Sequence, residues 1–182
     1  PGRADEADGG QEAARAGGAG MMRWMAAALA MTGSVAGACP MSLAIYTEPQ
    51  SGFEVRFRVA QPWEQVGQVD HVIELGLPDG RVLWGQIAQN MGVSRTVGTL
   101  YLGCPPHSQD GPTPDEQLEG CRAWQGVVYA LKDGRSAPVP FAEEEAPPSL
   151  ILADFGRQLR YSVMDGPEIE IWDQLDLTAC AE

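Results

Sequence analysis

Positive charge is scarce in this chain. Its 182 residues include 12 Lys and Arg against 25 Asp and Glu, a formal net charge of −13 at pH 7, and Lys132 is the only lysine. Nucleic acids and anionic membrane surfaces repel a protein of this charge, so the composition excludes both as partners. A basic protein partner or a bound cation is compatible with the charge, and so is a simple contribution to solubility. A single lysine beside many Ala, Gly and Arg residues is typical of a GC-rich bacterial genome.

Catalytic motifs are missing as well. Ser94 follows Gly92, but Thr96 stands where a Gly-x-Ser-x-Gly nucleophile elbow needs its second glycine. The sequence contains no phosphate-binding loop, haem-attachment motif, zinc-protease motif or calcium loop. Carboxylates are plentiful, but no pair lies in an apolar setting that would raise the pKa of one of them. The sequence therefore favours a non-enzymatic protein and predicts no catalytic residue, no cofactor and no resident metal.

The stretch MMRWMAAALAMTGSVAGA, residues 21–38, has the three parts of a secretory signal. Arg23 supplies the positive start, an apolar run follows, and Ala36 and Ala38 are the small side chains that signal peptidase requires. The run is too short and too often interrupted for a membrane span. We therefore expect cleavage before Cys39 and a mature protein in the bacterial periplasm or secreted medium.

The residues on either side of the predicted signal differ in character. Residues 1–20 have no apolar pattern, and we expect a disordered leader or a product of upstream translation there. Residues 39–182 have a length that suits one globular domain. This expected mature chain has nine basic against twenty-one acidic side chains, a net charge of −12.

Cysteine is rare, but all four cysteines lie in the expected mature chain. An even number in an exported domain predicts two disulfides, for which three connectivities exist. The simplest joins Cys39 to Cys180, near the two ends, and Cys104 to Cys121, around a polar loop. Chain-entropy arguments assign these bridges about 5 and about 3 kcal/mol of stabilisation. Lipidation of Cys39 is an alternative, but Ala36 is a poor lipobox residue and Cys180 would lose its partner.

Alternating patterns predict a mainly β fold. In FEVRFRVA, residues 53–60, apolar side chains face one side and charged side chains the other, as in a half-buried antiparallel strand. Two apolar runs in 69–88 flank the turn Pro78-Asp79-Gly80, which predicts a hairpin. Further strands are expected in SRTVGTLYLGC, WQGVVYALKDGRSAPVPF and EIEIWDQLDLTAC.

Two helices are expected beside these strands. TPDEQLEG predicts a short helix at about 114–119, with Thr113 and Glu116 forming a capping box. SLILADFGRQLR follows two prolines and predicts a helix at about 149–160. The expected fold is α+β and mainly β: an antiparallel sheet, sandwich or small barrel of about seven strands, covered by the 149–160 helix.

Only two histidines exist, His71 and His107. His71 shares a strand face with apolar residues, which is typical of a core histidine. His107 lies in the polar loop between Cys104 and Cys121, and these three residues would be metal ligands only if the cysteines were reduced. No fourth ligand has a suitable spacing, so a metal site is not predicted.

The expected binding surface is the proline-rich loop between Cys104 and Cys121, because loops held shut on a rigid sheet often serve recognition. Its candidate binding residues are His107, Asp110, Asp115, Glu116 and Glu119. Trp172, on the opposite face of the last strand from its apolar neighbours, is a further candidate anchor for a partner.

The sequence thus predicts an exported, non-enzymatic binding or accessory domain that interacts with another cell-envelope protein. Two alternatives stay open. One is a small periplasmic hydrolase or metal-dependent enzyme that uses His107. The other is an outer-membrane lipoprotein anchored at Cys39. The oligomeric state is not predicted.

Overall fold

Alternating apolar and polar residues form antiparallel strands that close into a barrel. The computed structural model describes residues 38–77, 80–89, 95–162 and 170–182, all within one compact unit of the chain. The strands, in chain order, are β1 (Ala44–Thr47), β2 (Glu54–Arg58), β3 (Val69–Gly76), β4 (Val82–Ala88), β5 (Val97–Leu102), β6 (His107–Ser108), β7 (Gly111–Pro112), β8 (Arg122–Lys132), β9 (Arg135–Ala137), β10 (Ser149–Leu152) and β11 (Gln174–Cys180).

Eight of the described strands follow one another around the barrel in the order β1-β2-β3-β4-β5-β8-β10-β11. Pairing of β11 with β1 and of β10 with β8 closes the ring. Strand β9 extends β8 as a hairpin, and β6 with β7 forms a separate two-stranded ribbon. The predicted antiparallel, mainly β fold is confirmed, with one barrel strand more than expected.

The predicted leader, 1–20, and all of the predicted signal except Ala38 lie outside the described residues. Pro78 and Asp79 of the predicted turn lie outside them too, although β3 and β4 on either side pair as a hairpin. Among the described residues, no helix is long and apolar enough to span a membrane.

In the described part of the chain, three short helical segments accompany the strands: a 3-10 helix (Met41–Leu43), α1 (Asp115–Cys121) and α2 (Phe155–Arg160). Helix α1 confirms the short helix that the sequence predicts at about 114–119. Its predicted capping box is wrong, because Pro114 is the N-cap and no side chain caps the helix. The Thr113 hydroxyl instead donates to the Pro105 carbonyl at 2.7 Å. This hydrogen bond joins the two sides of the connection between β5 and α1.

The helix predicted at about 149–160 is wrong in its first half. Residues Ser149–Leu152 form the barrel strand β10, with Leu150 and Leu152 facing the core. The chain then turns at Asp154, whose φ of 61° lies in the left-handed region, and α2 begins at Phe155. Two short apolar patterns, one of period two and one of helical period, overlap here, and the sequence alone does not separate them.

Asp173 interrupts the apolar pattern of the last predicted strand because it serves α2. Its carboxylate accepts hydrogen bonds from the backbone N–H of Asp154 at 2.8 Å and of Gly156 at 3.3 Å. These donors at the start of α2 have no partner within the helix, so Asp173 satisfies them from another segment. The predicted strand accordingly begins at Gln174, after Asp173.

Large apolar side chains fill the inside of the barrel. The largest fully buried ones are Trp124, Tyr46, Phe57, Phe155, Met41, Ile73, Leu75, Leu83, Ile87, Leu100, Leu150 and Leu152. Each buried Leu, Ile or Phe contributes about 1.5–3 kcal/mol relative to an exposed one. Tyr46 packs edge-on against Phe57, and its hydroxyl donates to the Pro147 carbonyl at 2.9 Å. Desolvation raises the pKa of this phenol above its ordinary value.

Before the start of β1, residues 39–42 run beside residues 142–146. The backbone N–H of Met41 donates to the Glu144 carbonyl, and that of Ala146 donates to the Cys39 carbonyl, each at 2.8 Å. The disulfide Cys39–Cys180 ties the first of these segments to β11, with Cα atoms 5.8 Å apart. The start of the barrel is therefore fixed covalently to its last strand.

Candidate functional site

The segment between β5 and β8 is closed by the second disulfide, Cys104–Cys121, and we call residues 104–121 the disulfide loop. The two bridges are the pairing that the sequence favours. Inside the disulfide loop, β6 and β7 pair as a ribbon in which His107 lies opposite Pro112. The Ser108 hydroxyl donates to the Gly111 carbonyl at 3.1 Å. The loop is thus an ordered structure held by a covalent bond and local hydrogen bonds.

A cleft of about 380 Å³ lies where the disulfide loop meets the outer face of the barrel. Three separate parts of the chain line it: the barrel strands β2 to β4, the connection 59–68 between β2 and β3, and the disulfide loop. Its principal side chains are Arg58, Trp63, Glu64, Glu74, Trp84 and His107.

The strand positions of these side chains follow from the alternating pattern. Arg58, Glu74 and Trp84 lie on the outer face, because their neighbours along each strand face the core. Glu74 on β3 is directly opposite Trp84 on β4. Side chains at directly opposed positions of an antiparallel pair are close neighbours, so the barrel brings these two together.

Arg58 is the centre of an ion-pair network in the cleft. Its two terminal nitrogens donate to the two carboxylate oxygens of Glu64 at 2.6 and 2.7 Å, and its Nε donates to Glu74. The guanidinium carbon lies 5.9 Å from the centre of the Trp84 ring, a cation–π distance. Such bidentate pairs are among the stronger polar contacts in proteins, so the network fixes this wall of the cleft.

Glu64 is almost fully buried, with 8% of its surface exposed. Besides Arg58, the backbone N–H of Gln61 donates to its carboxylate at 2.8 Å. The hydrogen bonds from Arg58 are the largest cause of a lowered pKa for this carboxyl, and the nearby His107 adds a smaller electrostatic effect. Glu64 is therefore held ionised and fully bonded.

Several polar groups of the cleft make no hydrogen bond within the described residues. Within the described part of the chain, no partner hydrogen-bonds to the second carboxylate oxygen of Glu74, to the indole N–H groups of Trp63 and Trp84, or to the His107 imidazole. All four side chains are partly exposed. They are the groups in the cleft that an incoming ligand meets.

The structure places the six predicted binding residues at different sites. His107 lines the cleft. The other residues predicted in the disulfide loop, Asp110, Asp115, Glu116 and Glu119, are exposed outside it. Of these, Glu119 forms an ion pair with Arg122 at 2.6 Å. Trp172 lies in the segment before β11, is 52% exposed and does not line the cleft.

Reasoning from the sequence alone missed most of the cleft. The alternation of FEVRFRVA placed Arg58 on the polar face of a strand, and the hairpin pattern placed Trp84 in β4. No local pattern connects these positions to Trp63, Glu64 or His107, because the contacts depend on how two loops fold over the barrel.

A metal centre has little support here. In the described ranges, no group of three or more His, Cys, Asp or Glu side chains is arranged to hold a metal ion. Cys104 and Cys121 are bonded to each other, so neither supplies a thiolate beside His107.

The fold and the cleft define the class of this molecule: a small, disulfide-bonded antiparallel β-barrel with an outer cleft beneath a covalently closed loop. Comparison with protein-family models, curated proteins and solved structures finds no match to the chain.

Proposed function

We propose that this protein is an exported, non-enzymatic binding domain that interacts with another protein of the bacterial cell envelope through the cleft. The carrying observation is the cleft itself, in which two tryptophans and His107 surround a fixed ion-pair network. Partly exposed aromatic side chains beside ordered charges are typical of the residues that dominate binding energy at protein interfaces.

The two disulfides agree with the predicted export from the cytoplasm. Two disulfides indicate an oxidising compartment outside the cytoplasm, since cytosolic thiols are kept reduced. Residues 21–38 have the parts of a secretory signal, and the amino-acid composition is typical of a GC-rich bacterial genome. Both support a bacterial periplasmic or secreted protein.

The cleft is organised before any partner arrives. The disulfide loop is tied at both ends, and Arg58 connects two carboxylates on different segments. A site that is already ordered loses less conformational entropy on association, which favours binding. This rigidity supports a role in recognition, and the proposed function involves no catalytic step.

The enzymatic alternative fits the same residues less well. A histidine acting as general base is commonly oriented by a carboxylate that accepts its second N–H. Arg58 and the backbone of Gln61 bond both oxygens of Glu64, and within the described residues neither Glu64 nor Glu74 accepts a hydrogen bond from the His107 imidazole. The lipoprotein alternative needs a free Cys39 thiol, whereas its sulfur is bonded to Cys180.

Native mass spectrometry of the protein isolated gently from its own periplasm tests the proposal. We expect a chain that begins at Cys39, is four hydrogens lighter than the reduced form, and carries a second polypeptide. Trp63→Ala should remove that polypeptide while the melting temperature stays close to that of the unmodified protein. Trp172→Ala is the matched control, since it removes a partly exposed tryptophan away from the cleft.

Other results of this experiment would contradict the proposal or support one of the alternatives. Loss of the partner with Trp172→Ala but not with Trp63→Ala would reject the cleft as the interface. A bound metal or small molecule that disappears in His107→Ala would support the enzyme. A diacylglycerol on Cys39 would support the lipoprotein.

A further inference from the structure

The cleft carries more negative than positive charge. Among the described residues that line it, Arg58 is the only Lys or Arg, whereas Glu64 and Glu74 are both carboxylates, so these three side chains sum to a charge of −1. Apart from His107, the remaining lining side chains are uncharged. A ligand with one positive charge would balance the cleft, and a ligand with a negative charge would increase the imbalance.

The free acceptor in the cleft is on Glu74. Both oxygens of Glu64 are bonded, but Glu74 bonds Arg58 through one oxygen and leaves the other without a protein partner in the described residues. Glu74 is also more exposed than Glu64, at 28% of its side chain. A cationic donor that enters the cleft would therefore meet an unused carboxylate oxygen.

The aromatic walls suit the same charge. Arg58 lies against the Trp84 ring, which shows that a guanidinium packs on this indole in the protein. Trp63, from the connection between β2 and β3, adds a second indole to the lining of the cleft. Indole rings attract cations through their negative faces, and the attraction grows when water is displaced.

An anionic ligand matches the charge of the cleft less well. Each nitrogen of the Arg58 guanidinium already donates to a carboxylate or backbone carbonyl of the protein. A carboxylate or phosphate would find one guanidinium N–H and two indole N–H groups as donors, but it would enter a cleft that already holds two carboxylates against one guanidinium. The balance of charge and the free oxygen of Glu74 therefore favour a cation.

We propose that the cleft binds the side chain of a lysine or arginine from a basic segment of the partner, an inference that rests on the proposed function. The cation packs against Trp63 and Trp84, and it donates to the free oxygen of Glu74. A cleft of about 380 Å³ is near the lower end of the range for ligand sites, roughly 300–1,000 Å³, which suits a single long side chain. The net charge of −12 expected for the mature chain adds long-range attraction for such a partner.

Peptides with one charged side chain test this assignment directly. The probe is acetyl-Gly-Gly-Lys-Gly-Gly-amide, and the readout is the set of indole N–H signals in 15N NMR spectra, assigned with Trp→Phe variants. The lysine peptide and its arginine counterpart should shift the Trp63 and Trp84 signals saturably. Trp124, bonded inside the barrel to the Ala153 carbonyl, and the exposed Trp172 are internal controls that should not shift.

A pair of charge-matched variants locates the binding carboxylate. Glu74→Gln keeps the shape of the side chain, and we expect it to weaken the lysine peptide by about tenfold, as loss of one charged hydrogen bond predicts. Glu116→Gln removes the same charge from the exposed surface of α1, and its effect should stay below about twofold. Trp84→Phe, which keeps Glu74, should also weaken binding. This variant replaces Glu74→Gln as the test if Glu74→Gln disturbs the fold.

Several results would overturn the inference while leaving the binding domain intact. Equal binding of the peptide with norleucine in place of lysine, or tighter binding of the glutamate peptide, would show that the cleft does not select cations. Equal shifts at Trp172 and Trp84 would show general attraction to an acidic surface. If no peptide binds, the inference fails as well. The proposed function is judged separately, by whether the native partner depends on Trp63.

Discussion

The two α-helices lie on the same barrel, but different forces hold them. Helix α2 buries Phe155, Gly156 and Leu159, and the Phe155 ring packs edge-on against Trp124 at 5.6 Å. Helix α1 buries no residue and ends at Cys121, which is bonded to Cys104. Packing secures α2 as part of the core. The disulfide secures α1 where apolar burial does not, so the disulfide loop stays in place although most of its residues are polar or proline.

The largest effect should come from removing the ring that α2 buries. Phe155→Ala should lower the free energy of unfolding by about 3–5 kcal/mol, because it leaves a cavity beside Trp124. Phe141→Ala is the matched control, since that ring is exposed and its loss should change stability by less than about 0.5 kcal/mol. Urea unfolding measures both. Similar losses for the two variants would show that α2 is not part of the core.

Removing the covalent tie should affect the other helix. The double variant Cys104→Ala with Cys121→Ala should cost about 3 kcal/mol by the chain-entropy argument for a bridge that spans 17 residues. Amide hydrogen exchange should rise in α1 and around His107 while β8 stays protected. An equal rise in β8 would mean that the bridge supports the whole barrel and not the disulfide loop.

A pair of glycine substitutions should have opposite effects on the two helices. A Cβ on Gly156 would lie 1.7 Å from the carbonyl oxygen of Ile171, so Gly156→Ala should destabilise the protein by about 1–3 kcal/mol or more. A Cβ on Gly120 in α1 meets nothing within 4 Å. Gly120→Ala should therefore stabilise by up to about 1 kcal/mol, because alanine favours helix. Thermal unfolding compares them, and a shared sign would contradict this account of how α2 packs.

The smallest effect concerns the barrel core, where His71 is 3% exposed and its Nδ1 has no partner among the described residues. Burial lowers the pKa of His71 below its ordinary 6.5, against smaller raising effects from the Pro140 carbonyl and Asp70. The unfolded chain takes up this proton near pH 6.5 and the folded chain only at lower pH. His71 therefore does not lower the free energy of unfolding above about pH 6.5, and it lowers that free energy progressively as the pH falls below this value.

Urea unfolding between pH 5 and 7.5 measures that loss. The loss should be smaller in His71→Leu than in the unmodified protein. An unchanged slope in His71→Leu would show that another group causes the dependence.

Local signals in the sequence predicted much of the fold. The alternation in FEVRFRVA, the two runs about Gly80 and the even number of cysteines led to the antiparallel strands and to the favoured disulfide pairing. The error at Ser149–Leu152 has a local cause as well. A four-residue strand is too short for its period to stand out from the helical pattern that follows at Phe155.

The candidate site was much less accessible to sequence reasoning. His107 was singled out because it is one of two histidines and lies between bridged cysteines. Trp63 and Glu64 carry no motif, and Asp173 looked like an interruption of a strand although it caps the start of α2. Such roles depend on partners that are distant in the chain.

The sequence by itself determined the periodic strands, the acidic charge and the even number of cysteines, because these depend on residue type and on neighbours a few positions apart. Only the tertiary structure decided that Arg58, Trp84 and His107 share one cleft. Closure of the barrel and the folding of two loops against it bring these residues together. The physical reason is that alternation selects the face on which a side chain lies, whereas strand register and loop packing select its neighbours.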